Sequence, residues 1–302
     1  MKFPLLPILV LFTSVSYSQT DKKLTAQIQN LVTDFNGQAG IFVQNLKTGK
    51  TAAINADTLF PTASMIKASI QCGVMDKIEK GELQYNQNLV YRDSLLYAGV
   101  DILGSFKDKD TIELSKVAML MITMSDNTAS LWLQKLVGGE YINTWLQQNG
   151  FINMRVNSRV AGREQLRAIY GWGVTTPREM CRLFTMINDG KAVSEAASER
   201  MMRNLSRIYW DEHALSQIPP YVHTSSKQGS VDGSRSETVL VNAPHGDYVF
   251  CIVTKNIKDQ SWTEDNESWN LIKNVSRLLW HYFEPKDKWK PPAGIEKYMT
   301  NE

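Results

Sequence analysis

Phe60-Pro-Thr-Ala-Ser64-Met-Ile-Lys67 opens a predicted helix with a hydroxyl and an amine three residues apart. That spacing puts both side chains on one helical face, so the Lys67 amine lies within reach of the Ser64 hydroxyl. A serine hydroxyl is a weak nucleophile until a neighbour takes its proton, and a neutral lysine can do so. The positive end of the helix dipole also favours an anion beside Ser64. The stretch predicts a nucleophile and its base, although Ser-x-x-Lys alone arises by chance in many chains.

A second motif, Ser125-Asp126-Asn127, follows the apolar run at residues 117–122. That run predicts a buried helix, which the capping-box pattern Asp110-Thr-Ile-Glu113 would begin. The motif has two interpretations. It is a polar cap that closes the helix, or Ser125 passes a proton to a leaving nitrogen while Asn127 holds the substrate. In both cases we expect Asp126 to be the structural member of the three.

A third motif, Ser226-Lys227-Gln228-Gly229-Ser230, lies on a predicted strand at residues 223–230. A lysine on an inner strand is costly to bury without a partner, which points to a function for Lys227. Gly229 lets a ligand approach the backbone closely. The alternative is that Lys227 points to solvent from an edge strand.

Hydrophobic periodicity predicts strands near both ends of the chain and helices between them. The expected fold class is α/β (α+β) with two lobes, in which an antiparallel sheet flanked by helices is built from both termini. This domain spans 19–283: the α/β lobe takes about 19–63 and 206–283, and an inserted all-helical lobe takes about 64–205. The predicted strands are 40–46, 51–55, 223–230, 237–243 and 248–255, and helices are predicted at 22–36 and 266–283. The polar tail at 284–302 is expected to be loosely held.

The 33 basic residues balance the 31 acidic ones, and no basic stripe predicts nucleic-acid binding. Three cysteines allow at most one disulfide, and four histidines without ligand spacing predict neither metal nor cofactor. Residues 1–18 have a basic start, an apolar run and small residues before a cleavage point, which is the layout of a signal peptide. We therefore expect an exported protein, periplasmic or secreted, without a membrane anchor and monomeric.

Taken in order, Ser-x-x-Lys, Ser-Asp-Asn and Lys-x-Gly resemble the class A β-lactamases and related penicillin-binding proteins. Phe60-Pro before Ser64 and Thr175-Thr-Pro177 after the central loop add to the likeness, which covers roughly residues 22–283. The resemblance implies that Ser64 attacks a β-lactam or a D-alanyl-D-alanine-like carbonyl and forms an acyl-enzyme. The backbone N–H groups of Ser64 and Ser230 would hold the oxyanion.

The same resemblance assigns the remaining roles. Lys67 would shuttle the proton, and Ser125 would protonate the departing nitrogen. Asn127 would hold the amide side chain of the substrate, and Gly229 belongs to the substrate-binding strand. Lys227 and Arg235 would attract the substrate carboxylate, the arginine by a bidentate fork. Tyr97 could line the cleft as an aromatic wall, but it is left outside the predicted site.

The chain departs from the class A pattern in four places. Gln228 replaces a hydroxyl residue, Cys72 lacks its usual disulfide partner, and Gly173-Val174 stands where an Asp is expected. The fourth departure concerns the glutamate that activates the deacylating water: counted back from Thr175-Thr-Pro177, Val160 occupies its usual position.

Glu164 is the only acidic residue between Met154 and Pro177. One interpretation makes it the deacylation base from a shifted loop. The other makes it an ion-pair partner for the arginines at 155, 159, 163 and 167, which recur every four residues.

The sequence thus predicts a class A-type serine β-lactamase that acts through an acyl-enzyme on Ser64. One form of this hypothesis is an enzyme that deacylates slowly. The alternatives are a penicillin-binding D,D-peptidase-like acyl hydrolase and a β-lactam sensor without turnover.

Overall fold

Alternating apolar residues near both termini form one sheet in a computed structural model, which describes residues 19–97 and 101–298. The predicted signal peptide at 1–18 lies outside the described residues. The strands are β1 (Gln38–Asn45), β2 (Thr51–Ile54), β3 (Phe60–Pro61), β4 (Asn88–Val90), β5 (Thr111–Glu113), β6 (Arg155–Val156), β7 (Gly173–Thr175), β8 (Thr224–Val231), β9 (Ser234–Val241) and β10 (Tyr248–Lys255). The α-helices are α1 (Lys22–Val32), α2 (Lys67–Glu79), α3 (Leu114–Thr123), α4 (Asn127–Val137), α5 (Gly139–Gln148), α6 (Glu164–Tyr170), α7 (Pro177–Asn188), α8 (Glu195–Leu205) and α9 (Glu267–Phe283).

The main sheet is antiparallel, with the strand order β2-β1-β10-β9-β8. Its centre joins the two ends of the chain, because β1 pairs with β10 from Gln38 opposite Lys255 to Asn45 opposite Tyr248. The predicted fold class is therefore confirmed, including the β1–β2 hairpin and a sheet made from both termini.

Successive side chains of a strand point to opposite faces of the sheet, so β10 supplies two separate cores. Phe250 and Ile252 pack with α1 and α9 on one face. Cys251 and Val253 pack on the other face with the core of the helical lobe. Helix α7 also lies on this second face, where the Cys181 thiol is 3.6 Å from the Phe42 carbonyl. The sheet is thus a middle layer between α1 and α9 on one side and α7 with the helical lobe on the other.

The predicted capping box at residues 110–113 is wrong. Helix α3 begins at Leu114, and the side chain of its N-cap residue, Glu113, makes no capping hydrogen bond. Residues 111–113 are instead the strand β5, which pairs with β4, and the Asp110 carboxylate accepts the N–H of Lys107 at 2.8 Å. A tertiary strand pairing here overrides a local helix-start signal. Similarly, the first helix ends at Val32 rather than at residue 36.

The C-terminal tail, as far as residue 298, is held more firmly than predicted. Glu284 is buried, and its carboxylate accepts the backbone N–H of His245 at 2.9 Å and also contacts the His245 ring. Farther on, Asp287 accepts the hydroxyl of Tyr221 at 3.1 Å. The start of the tail is therefore tied to the domain through Glu284 and Asp287.

The cysteines at 72, 181 and 251 are all free and buried. Burial raises the pKa of each thiol, that of Cys251 to about 12. Stability therefore comes from the two cores and not from a disulfide. In the described part of the chain, no helix combines the length and apolar character that crossing a membrane requires.

The buried ring of His213 gives the fold a testable dependence on pH. It stacks on Trp269 with centroids 4.6 Å apart, and its nitrogens have no hydrogen-bond partner among the described residues. Burial, helped by the positive charges of Lys273 and Arg235, lowers its pKa from 6.5 to about 3. The unfolded chain takes up this proton first, so stability is full above pH 6.5 and falls as the pH drops towards 3.

We expect the His213 contribution to change by about 1.4 kcal/mol per pH unit below pH 6, measured by urea unfolding from pH 7 to pH 4. His213→Phe keeps a stacked ring but cannot be protonated. It should therefore reduce the slope of unfolding free energy against pH below pH 6. His223→Gln, at an exposed histidine, is the control. An unchanged slope in His213→Phe would show that His213 does not set it.

Candidate active site

The nucleophile candidate lies in a single turn of 3-10 helix, residues 63–66, that runs directly into α2 at Lys67. This continuity puts Ser64 and Lys67 one turn apart on a helical segment, as the sequence predicts. The residue before Ser64 is strained, because Ala63 has a φ of 43°, in the left-handed region. Strained residues of this kind cluster at functional sites.

Lys67 brings the first two motifs together. Its side chain is fully buried, and its amine donates to the Ser125 hydroxyl at 3.1 Å and to the Asn127 side-chain oxygen at 2.7 Å. It also donates to the Ser125 carbonyl. A buried amine is tolerated where polar oxygens replace its water, and these acceptors do so.

Lys227 brings the third motif to the same point. Although β8 is at the edge of the sheet, Lys227 is fully buried, so the alternative of a solvent-facing lysine is wrong. Its amine donates to the Ser125 hydroxyl at 3.1 Å and to the Gln228 side-chain oxygen at 2.8 Å. Gln228, the departure from the class A pattern, thus contacts the lysine beside it.

The Ser125 hydroxyl is the meeting point of the three motifs. A hydroxyl accepts two hydrogen bonds and donates one. With Lys67 and Lys227 both donating to it, the oxygen has its acceptor capacity filled and keeps one proton to donate. The geometry therefore suits Ser125 as a donor to a third group in the cleft. Ser125 itself has a φ of 57°, again in the left-handed region.

Two carboxylates fix the start of α4, and with it Asn127. Asp126 is the N-cap: it accepts the N–H of Ala129 at 2.7 Å and that of Leu103 at 2.9 Å. Asp101 accepts the N–H of Asn127 at 2.9 Å and that of Thr128 at 2.7 Å. Asp126 is structural, as expected, but the motif starts a new helix and does not merely close the preceding one. Burial raises the pKa of the Asp126 carboxyl.

Gly229 lies directly against the turn that carries Ser64. A Cβ atom at Gly229 would be 2.6 Å from the Thr62 carbonyl oxygen and 2.7 Å from the Ser64 nitrogen. Such distances are impossible for a real side chain, so only glycine lets β8 approach this turn. The next residue, Ser230, also lines the cleft.

Two adjoining cavities of about 660 and 200 Å³ share Ser64, Asn127 and Ser230 in their walls. Aromatic residues line much of the cleft. Tyr97 and Trp172 meet edge to face across the larger cavity, with centroids 5.3 Å apart. The sequence analysis missed Trp172, which stands in a loop without any motif, and left Tyr97 outside the predicted site. Only the folded structure shows that the two rings are neighbours.

Glu164 is not among the described residues that line either cavity. It is exposed at the first turn of α6, and its carboxylate accepts the N–H of Gly162 at 3.2 Å. No ion pair with an arginine is found for it among the described residues, so neither sequence interpretation is confirmed. Val160 is buried and packs against Gly139. In this conformation Glu164 stabilises its own loop.

Arg235 also lies elsewhere than expected. It is fully buried, does not line either cavity, and donates to the carbonyls of Val231, Ser234 and Ser261. Its guanidinium lies over the ring of Trp262 at 4.2 Å. The expected fork towards a substrate carboxylate is therefore occupied by the β8–β9 turn and the loop that follows β10.

A serine at a helix start, a buried lysine one turn later, and a second serine between two lysines form the site of serine hydrolases that have a lysine as base. A model of the beta-lactamase enzyme family matches residues 23–283, and the chain belongs to that family. Among the described residues, no group of three or more His, Cys, Asp or Glu side chains is arranged to hold a metal ion.

Individual relatives agree with this assignment. The chain is 24% identical to beta-lactamase VEB-1 of Pseudomonas aeruginosa, over 92% of this chain and 97% of that protein. Among solved structures it is similar to a mutant of PBP-A in an acyl-enzyme complex with penicillin G, at 25% identity and a TM-score of 0.79, covering 89% and 98% of the two chains. A beta-lactamase from Chitinophaga pinensis has the same fold, with a TM-score of 0.77 at 19% identity, covering 86% and 99%.

The close approach of Gly229 makes a direct prediction. Gly229→Ala should lower the free energy of unfolding by about 1–3 kcal/mol, because backbone atoms of the Ser64 turn must move to accept a methyl group. Chemical denaturation measures this change. Gly233→Ala is the matched control: a Cβ there meets nothing within 4 Å, so its effect should stay within about 0.5 kcal/mol. Equal effects would contradict the close approach.

Proposed function

We propose that this protein is a β-lactamase-type serine hydrolase that is acylated by β-lactams at Ser64 and releases the acyl group slowly. The observation that carries the proposal is the Ser125 hydroxyl held between Lys67 and Lys227, beside a cleft that Ser64 lines. The proposed substrate is a cyclic amide whose nitrogen receives a proton as its C–N bond breaks.

In the proposed acylation step, neutral Lys67 takes the proton of Ser64 as the serine oxygen bonds to the lactam carbon. The backbone N–H groups of Ser64 and Ser230 stabilise the oxyanion. Ser125 then gives its proton to the lactam nitrogen and regains one from Lys67, 3.1 Å away. One C–O bond forms and one C–N bond breaks, and the proton of Ser64 ends on nitrogen.

The proposed slow release of the acyl group is based on the shortage of carboxylates in the walls of the cleft. Asp101 is the one acidic residue among the described residues that line the two cavities, and it is bonded to the start of α4. Glu164 lies outside the cleft wall. Hydrolysis of the acyl-enzyme needs a base for the attacking water, and a carboxylate in that role is not supplied by these walls.

The second candidate function is a penicillin-binding D,D-peptidase-like acyl hydrolase, whose substrate ends in D-alanyl-D-alanine. The same shortage of a carboxylate base favours it. So does the likeness to PBP-A, a mutant of which was solved as an acyl-enzyme with penicillin G. The two candidates share acylation and differ in which acyl group leaves fast enough for turnover. In both, the protein acts outside the cytoplasm after removal of residues 1–18.

One experiment separates these candidates. The protein without residues 1–18 is mixed with penicillin G and with a chromogenic cephalosporin, and intact mass and colour are followed. We expect a long-lived adduct of one penicillin per chain, with turnover slower than about 1 per second, at the low end of ordinary enzymes. Ser64→Ala should abolish the adduct. An adduct that persists in Ser64→Ala would refute the nucleophile.

Glu164→Gln is included as the test of the loop carboxylate. Because Glu164 is exposed and bonded to its own loop, we expect the adduct half-life to change by less than about 3-fold, which is within the range of ordinary surface substitutions. A marked lengthening of the half-life would make Glu164 the deacylation base. Fast turnover of a D-alanyl-D-alanine peptide by the unmodified protein would favour the peptidase.

Because Arg235 is buried outside the cleft, we expect that replacing it does not affect recognition of the substrate carboxylate specifically. Arg235→Ala should slow acylation by penicillin G and by its methyl ester by the same factor, within about 2-fold, because the residue acts through the β8–β9 turn. The control is Lys255→Ala, which removes a cation that, unlike Arg235, lines the larger cavity. A loss confined to the free acid would place the guanidinium on the substrate carboxylate.

A further inference from the structure

Trp172, two residues after the end of α6, lies against Lys67, the proposed base. Its ring lies over the Lys67 amine, with the nitrogen 5.9 Å from the ring centroid, and it lines the larger cavity together with Ser64. On its other side the ring meets Tyr97 edge to face. Trp172 therefore presents its indole to the Lys67 amine.

The backbone holds this ring in place from both directions. The Trp172 carbonyl accepts the N–H groups of Asn157 at 2.8 Å and Ser158 at 3.1 Å. The next residue, Gly173, begins β7, and its carbonyl accepts the N–H of Thr62 at 3.0 Å, two residues before Ser64. A Cβ at Gly173 would be 2.7 Å from the Thr62 hydroxyl, so the loop is packed directly on the nucleophile turn. The backbone that carries the indole is therefore held against the turn that carries Ser64.

We propose that Trp172 shields the Ser64 acyl ester from water and so sets the lifetime of the acyl-enzyme. This inference rests on the proposed acylation of Ser64. To release the acyl group, a water oxygen must bond to the acyl carbon and the bond from that carbon to the Ser64 oxygen must break. A base takes a proton from the water, and a proton must return to the Ser64 oxygen. Trp172 covers one face of the Lys67 amine, where such a water would find its base.

The position of the Lys67 amine makes this shielding effective. The lysine is fully buried, and its amine already donates to the Ser125 hydroxyl and to the Asn127 side-chain oxygen. A water that approaches the same amine from the side of the ring must displace the indole. Trp172 thus opposes hydrolysis by excluding water.

The test follows the decay of the penicillin adduct by intact mass after excess penicillin is removed. We expect Trp172→Ala to shorten the adduct half-life by about 10-fold or more, because water then reaches the ester and the amine. Trp172→Phe keeps a ring over Lys67 and should stay within about 3-fold of the unchanged protein. Tyr209→Ala, which removes the edge-to-face partner of a different tryptophan, Trp210, and leaves Trp172 and Tyr97 in place, is the matched control and should also stay within about 3-fold.

Acylation rate and melting temperature are recorded for each variant, so that a damaged fold is recognised. If Trp172→Ala is unstable, Trp172→Leu provides a smaller side chain on the same backbone, and it too should shorten the half-life. A half-life in Trp172→Ala or Trp172→Leu equal to or longer than that of the unchanged protein, with normal acylation, overturns the inference alone. The absence of any adduct on the unchanged protein would instead overturn the proposed function, and the shielding role with it.

Discussion

The hydroxyl of Ser125, held between two buried amines, is the constraint on which the rest of the structure depends. Two lysines cannot be buried side by side without oxygen acceptors, because each loses its hydration and each repels the other. The helical lobe supplies Lys67, Ser125 and Asn127, whereas the sheet supplies Lys227. The site therefore forms only when the two parts of the chain are docked, and the three motifs are satisfied together.

The parts of the chain that position this hydroxyl are built for close approach. The turn with Ser64 lies on β8 at Gly229, and β7 lies on the same turn through Gly173. The acids at 101 and 126 hold the first turn of α4, on which Asn127 lies. Backbone contacts and short polar side chains thus set the geometry, while longer side chains fill the walls of the cleft.

Residues with a fixed spacing inside one element were predictable from sequence. The pair Ser64 and Lys67 is one helical turn apart wherever that helix lies, and the alternation along β10 needs only the period of a strand. The fold class and the β1–β2 hairpin follow from patterns of this kind, whereas the contact of Lys227 with Ser125 does not. The burial of Lys227 was one of two open alternatives, and only the packing of the Ser64 turn on β8 decides it.

What could not be predicted is where loop and turn side chains point. The sequence offers Glu164 and Arg235 as charged groups at suggestive positions, but backbone partners within reach take both: the N–H of Gly162 for the first and the carbonyls of a tight turn for the second. The strand pairing of residues 111–113 and the anchoring of Glu284 on His245 likewise depend on segments distant in the chain. Trp172 carries no motif at all, and its place over Lys67 is set by the fold.

The covering of β8 has a consequence for the whole molecule. An edge strand normally presents unpaired N–H and C=O groups that can recruit a strand from another chain. Here the Ser64 turn and α8 both pack on β8, and the adjoining Ser206 and Ser225 hydroxyls are 2.7 Å apart. The contact with the Ser64 turn is made in the direction of a Gly229 Cβ and therefore lies on a face of β8, so the turn that carries Ser64 also covers part of the strand. Variants that loosen the Ser64 turn should therefore expose more of β8 and lose resistance to aggregation.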